Sequence, residues 1–260
     1  MGIRFDHKPG LVVYITAGDP SLEASRAIAI EAIDAGADVI ELGVPFSDPL
    51  GDGPIIQRAS ERALSRGVKL SDVLGVARAI RAARPQAGLI FFTYLNPILR
   101  YGLERFADEA KAAGADGVLV IDMIVEEAAE YLAAMDRTGL APVFLAAPTS
   151  SDARLEAIAS HSRGFVYAIS RTGITGKQQQ MTADAAALVE RIKRWTKLPV
   201  AVGFGISNAD HVAEVGEFAD AAVIGSAIVE LIERSTPETA PGEVARFIKG
   251  LRLSSAAPAR

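Results

Sequence analysis

The residues DAGADVIELG (34–43) and AAGADGVLVID (112–122) follow one plan, and GEFADAAVIGS (216–226) repeats it more loosely. Each reads as a helix end closed by glycine, a short turn and then a strand. The apolar run is continuous rather than alternating, as in a strand buried on both faces of a parallel sheet. Eight such runs mark the chain: LVVYIT (11–16), DVIEL (38–42), GLIFFTY (88–94), GVLVI (117–121), PVFLA (142–146), GFVYAI (164–169), PVAVG (199–203) and AAVIG (221–225). Ala-, Leu- and Glu-rich segments of helical period lie between them, for example SLEASRAIAIEAIDAG (21–36), with Ser21 placed to cap its start and Gly36 to close its end.

Eight βα units predict an α/β fold, a (β/α)8 TIM barrel, with 1–260 as a single domain. Residues 1–10 form a short N-terminal segment, and 254–260 read as a frayed tail. Extra short helices are expected: two within 55–85, split near Gly67, one in GSAIVELIERS (225–235), and a final helix at about 242–253. A doubly wound open sheet is the competing architecture. It demands no even count of units, and no Gly-x-Gly-x-x-Gly follows the first run.

Composition narrows the function class. Half of the 260 residues are apolar, and the 23% that are charged are spread evenly, unlike a disordered chain. A net charge of -5 argues against nucleic acid and anionic membrane surfaces as partners. The absence of cysteine removes disulfides, thiolate nucleophiles and Cys-based metal sites. MGIRFDHKPG carries no apolar signal segment, and no apolar run approaches the length of a membrane span, so a cytoplasmic protein is expected. His7, His161 and His211 are scattered and suggest no metal site.

In a barrel, chemistry belongs at the C-terminal strand ends. Glu41 ends the second run, where partial desolvation would raise its pKa for acid–base work; pairing with a neighbouring cation is the other reading. Asp52, between two glycines in GDGP, is either a second carboxylate turned back over the mouth or a turn or helix-cap residue ahead of Pro54. GFGIS (203–207) and IGSAI (224–228) offer glycine-rich helix starts suited to a phosphate, unless they are ordinary turns. SRTGITGK (170–177) is either a lid or a solvated loop. Asp122 either lines the site or caps the next turn. Tyr14, Phe92, Tyr94 and Phe204 either wall a flat aromatic ligand or pack the core.

Taken together, YITAGDP (14–20), ELGVPFSDPLGDGPIIQRA (41–59), SRTGITG (170–176), GFGIS and IGSAIV (224–229) resemble the tryptophan synthase α-subunit family, in order and over nearly the whole chain. The resemblance implies a retro-aldol lyase that cleaves indole-3-glycerol phosphate to indole and glyceraldehyde 3-phosphate, with no metal and no cofactor in this chain. It implies Glu41 and Asp52 as catalytic, and Gly176, Gly205, Gly225 and Ser226 as phosphate-binding. Tyr167 falls at the indole side, and Thr175 closes over the catalytic Asp. The implied partner is a β subunit carrying pyridoxal phosphate (PLP), in an α-β-β-α tetramer, with Asp48 and Pro49 as interface residues. A stand-alone lyase and a non-catalytic activating subunit are the alternatives. Three features depart from the family pattern: the short segment before the first strand, Ile124 where proline is usual, and a first strand without proline before its aromatic residue.

Overall fold

The computed structural model describes residues 3–169, 178–203 and 205–255. In chain order its elements are β1 (Gly10–Thr16), α1 (Leu22–Asp34), β2 (Val39–Gly43), α2 (Pro54–Ser65), α3 (Leu70–Ala83) and β3 (Gly88–Thr93). Next come α4 (Leu95–Tyr101), α5 (Leu103–Ala112), β4 (Gly117–Val120), a 3-10 turn (Val125–Glu127), α6 (Ala129–Thr138), β5 (Ala141–Val143) and β6 (Leu145–Ala146). The chain continues through α7 (Asp152–His161), β7 (Val166–Ile169), α8 (Gln178–Lys193), β8 (Val200–Gly203), α9 (Ala209–Phe218), β9 (Ala221–Ile224), α10 (Ser226–Arg234) and α11 (Ala240–Ser255).

All strand pairs are parallel, in the order β5-β4-β3-β2-β1-β9-β8-β7-β6. The fifth apolar run supplies both ends of that order. Its first half pairs with β4 (Leu119 opposite Val143) and its second half with β7 (Leu145 opposite Tyr167). Phe144 stands between the halves, its carbonyl accepting from the Tyr167 N–H at 3.1 Å and its ring edge-on to Tyr131. One run thus counts as two strands because its two halves serve different neighbours, and the eight runs close a (β/α)8 barrel.

Strand alternation sorts the side chains into two layers. Val12, Tyr14, Val39, Ile90, Phe92, Leu119, Val143 and Val223 fill the barrel. Leu11, Val13, Ile15, Ile40, Leu42 and Phe91 face outward and pack with helix residues such as Ile28, Leu74 and Phe106. Local signals start and stop the helices. The Ser21 hydroxyl accepts from the Ala24 N–H, and Gly36, at φ 113°, ends the α1 turn in a conformation that glycine tolerates best.

The N-terminal segment closes the floor of the barrel. Phe5 packs edge-on against Phe165, with ring centres 5.9 Å apart, and a Cβ on Gly10 would stand only 2.3 Å from the Phe5 ring. Beside it, the buried Asp38 carboxylate accepts from the Asp6 and Leu11 N–H groups, His7 Nδ1 and Arg252. Arg252, on α11, also donates to the carbonyls of Pro9 and Gly36. Among the described residues no helix is long and apolar enough to cross a membrane.

Candidate active site

Along β2 the alternation turns Val39, Glu41 and Gly43 inward and Ile40 and Leu42 outward. Glu41 is therefore a carboxyl inside a barrel, 1% exposed, and its Oε1 makes no hydrogen bond among the described residues. Burial pushes its pKa up to about 8. Among the described residues no cation pairs with it. A protonated Glu41 is the form that such a pocket favours near neutrality.

Asp52 arrives by the long connection after β2. That loop is folded on itself: the Leu50 N–H donates to the Asp48 carbonyl, and the Asp52 N–H to the Pro49 carbonyl. Gln57, in the first turns of α2, donates to the Asp52 carbonyl at 2.8 Å and to the Pro49 carbonyl at 3.4 Å. From β3's end Tyr94 takes hold of the loop twice. Its hydroxyl accepts from the Gly51 N–H at 3.0 Å and donates to the Asp52 carboxylate. Burial raises the Asp52 pKa to about 6, and the Tyr94 hydrogen bond opposes that rise. Asp52 does not cap α2, whose N-cap is Gly53 with no side-chain bond. It is a second carboxylate, held from above, in a less apolar setting than Glu41.

Two tyrosines complete the mouth. Tyr14 lies opposite Glu41 in the β1–β2 register, edge-on to Phe92 at 5.1 Å, with its hydroxyl 3.2 Å from Thr16 Oγ1. A Cβ on Gly43 would stand 2.4 Å from that hydroxyl, and a Cβ on Gly203 would stand 2.7 Å from the Tyr167 hydroxyl. Each ring thus occupies space that glycine leaves open. Burial raises both phenol pKa values, and the Glu41 and Asp52 charges add to both shifts. Tyr94 stacks at a tilt on Phe46 at 5.1 Å, forming the outer wall.

A helix start without a side-chain cap lies on the other side of Tyr14. α10 begins at Ser226 with Gly225 as its N-cap, no side-chain cap bond and no acidic residue in its first turn. Its N–H groups and dipole are therefore directed at the mouth without an internal acceptor. A Cβ on Gly225 would lie 3.5 Å from Tyr14 Cβ. Gly205 has φ +83°, and among the described residues no atom lies within 4 Å of where its Cβ would be, whereas α9 is already capped by Asn208, which accepts from the His211 N–H at 2.9 Å. Gly176, Thr175 and Phe204, with the whole 170–177 segment, lie outside the described residues.

The remaining candidates separate from this cluster. Asp122 is exposed and accepts from the Leu95 N–H at 2.8 Å, which makes it a cap for α4. Asp48 and Pro49 lie on the outer part of the Asp52 loop beside Leu50, which is 84% exposed. Leu99 and Ile124, at 55% and 45% exposure, follow β3 and β4 on the same side of the barrel. No group of three metal-ligating side chains occurs among the described residues. The sequence reading gave no role to Thr16, Gln57 and Gly43, and it read Gly203 as part of a phosphate loop rather than as room for the Tyr167 ring. Period-two counting from Tyr14 and Glu41 would have found Thr16 and Gly43; Gln57 and Gly203 act through packing that no local pattern announces.

A family model described as tryptophan synthase alpha chain matches residues 3–253. The tryptophan synthase alpha chain of Solibacter usitatus is 50% identical over 238 residues, covering 92% of this chain and 89% of that one. That of Geobacter sulfurreducens is 48% identical over 250 residues, covering 96% and 94%. Among solved structures, Mycobacterium tuberculosis tryptophan synthase superposes with a TM-score of 0.88 at 37% identity, covering 96% of this chain and 94% of that one. The Pyrococcus furiosus tryptophan synthase complex gives 0.85 at 38%, covering 94% and 98%.

Proposed function

This chain belongs to the tryptophan synthase alpha-chain family, a lyase of tryptophan synthesis, and from that premise we propose that it cleaves indole-3-glycerol phosphate to indole and glyceraldehyde 3-phosphate. What supports this reading above all is one mouth holding two carboxyls of opposite protonation preference: Glu41, with a pKa of about 8, and Asp52, with a pKa of about 6.

The chemistry needs that division. Glu41, protonated, gives its proton to indole C3, and the ring becomes a cationic electron sink. The resulting carboxylate takes the proton of the neighbouring glycerol hydroxyl. The bond between C3 and the carbinol carbon then breaks; its electron pair returns to the ring, and the carbinol carbon becomes the aldehyde. One proton is gained at C3 and one lost from oxygen, so Glu41 ends as it began. Asp52, ionised, accepts from the indole N–H and stabilises the positive charge that develops on it. Tyr94 holds that carboxylate in place, and Tyr14, Phe92 and Tyr167 flank the ring. Gly225, Ser226 and Gly205 receive the phosphate by backbone N–H groups and a helix dipole. Gly176 and Thr175 are proposed to complete the phosphate seat and the closure over Asp52, with Phe204 beside the ring.

These steps are proton transfers with the substrate's own ring as electron sink, so the proposal assigns this chain no cofactor. Indole passes to a β subunit carrying pyridoxal phosphate, in an α-β-β-α assembly in the cytoplasm. Asp48, Pro49 and Leu50, with Leu99 and Ile124 nearby, form the surface assigned to that partner. The test is indole release from indole-3-glycerol phosphate by the purified chain, alone and with a β subunit. Turnover stimulated by the β subunit is expected; no turnover under either condition rejects the lyase reading, and turnover indifferent to the β subunit rejects the partnership.

A further inference from the structure

Both halves of the site are carried by α2 and α10. Asp52 lies two residues before the first residue of α2, and its carbonyl is held by Gln57 of that helix. The phosphate seat proposed above is the first turn of α10. The helices run side by side in the same direction. At the mouth end, Ile56 Cδ1 would be 3.9 Å from a Cβ on Gly225. At the far end, Arg58 and Arg62 of α2 meet Glu233 of α10.

The far end is held by charge. Ile55 and Ile56 pack the first turn of α2 against the barrel cluster, but beyond them the buried residues Ala59, Ser60 and Ala63 are all small, so apolar packing fixes the far end of the helix only weakly. Arg62 holds that end. Its guanidinium is bidentate to Asp19, Nε to Oδ1 at 2.8 Å and Nη2 to Oδ2 at 2.7 Å, while Nη1 reaches Glu233 Oε1 at 2.6 Å. Asp19 is 3% exposed and sits in the connection after β1. Arg58 forks onto the same Glu233, at 2.9 and 2.7 Å. A planar fork on a buried carboxylate fixes orientation as well as distance.

We propose that Arg62 is a positioning residue, which, by bridging Asp19 and Glu233, sets the spacing between the Asp52 carboxylate and the anion seat at the start of α10. The substrate must reach both ends at once, its indole N–H at Asp52 and its phosphate at Gly225 and Ser226. Reaction requires the reacting atoms in near-attack geometry, and a displacement of about 1 Å at one end is enough to cost orders of magnitude in rate. The clamp keeps the two ends at one distance without touching the substrate. The inference rests on the lyase reading above.

The test is steady-state kinetics on indole-3-glycerol phosphate with Arg62→Met, Arg62→Lys and Glu233→Gln, at a temperature well below each variant's Tm. Arg62→Met is expected to lower kcat about tenfold and to raise KM. Arg62→Lys keeps the charge but loses the fork, and should recover part of kcat. Glu233→Gln loosens only the α10 side, so KM should rise with a smaller change in kcat. A purely structural role predicts a lower Tm with kcat and KM within twofold of the parent in folded protein, and that result overturns the proposal. Should Arg62→Met fail to fold, unchanged kinetics in both Arg62→Lys and Glu233→Gln overturn it equally. An inactive parent sinks the lyase reading and this proposal together; an active parent with unaltered variants sinks the proposal alone.

Discussion

Glu41 and Asp52 have pKa values displaced in the same direction by the same cause, yet to different extents, and the difference sets a working window. In the proposed reaction Glu41 enters protonated and Asp52 ionised. The kcat/KM profile of the free enzyme is therefore expected to fall below pH about 6, as Asp52 gains its proton, and above about 8, as Glu41 loses its own. Tyr94→Phe removes the hydrogen bond that opposes the rise of the Asp52 pKa, so the acid limb should move to higher pH. Glu41→Gln should lower kcat by about 10²–10⁴-fold, and Asp52→Asn by about 10²–10³-fold. A flat profile across pH 5–9 would contradict both assignments.

The same burial has a cost in stability. Glu41 ionises near its ordinary pKa in the unfolded chain but at about 8 in the fold. The favourable contribution of its protonated form is complete below the unfolded pKa and is lost as pH rises through the folded one. With about 1.4 kcal/mol for each pKa unit, the parent should lose on the order of a few kcal/mol relative to Glu41→Gln between pH 5 and pH 9. Thermal unfolding of both proteins across that range measures it; parallel curves would show that Glu41 carries no such penalty.

At the scale of elements, the glycines differ in what they permit. A methyl at Gly43 would meet the Tyr14 ring at 2.4–2.7 Å, and that ring is itself packed against Phe92. Gly43→Ala should cost about 1–3 kcal/mol by overpacking, with a lowered Tm and reduced turnover. At Gly225 the nearest atoms to an added methyl are 3.5 Å or more away. Gly225→Ala should hold its Tm within about 2 °C yet raise KM for the phosphorylated substrate by crowding the helix start. Equal loss of stability in the two variants would remove the distinction.

These elements also mark what the sequence could and could not tell. The strands were legible because continuous apolar runs such as GLIFFTY require burial on both faces, and α1 was legible because Ser21 and Gly36 signal its ends. Glu41 and Asp52 were legible as types and places. The bond from Gly51 to Tyr94 spans 43 residues, and the Arg62–Glu233 pair spans 171. Such pairings are decided by which helix packs beside which, and a one-dimensional pattern carries no trace of that. Asp122 reads as lining the site or capping the next turn; it instead accepts from the Leu95 N–H at the start of α4, 27 residues earlier, a pairing that no local pattern carries.

For the molecule as a whole, the floor opposes the mouth, and the two depend on different residues. Asp38 is buried and gathers four partners from the N-terminal segment, β1 and α11. Asp38→Ala strands those donors and the Arg252 charge, and should destabilise the protein by about 3–5 kcal/mol. Calorimetry should show the loss as a lower Tm. At a temperature where the variant is still folded, kcat should stay near that of the parent, because neither carboxyl of the mouth is touched.

Pro9 and Arg252 are hydrogen-bonded across 243 residues of sequence. The two ends of the described chain thus meet beneath the barrel, pointing away from the opening. A short linker joining them would close the polypeptide into a ring at little entropic cost, and new ends could then be cut into an outer loop. By the same geometry, a chain immobilised through the Pro9 or Arg252 side of the barrel presents its open face outward.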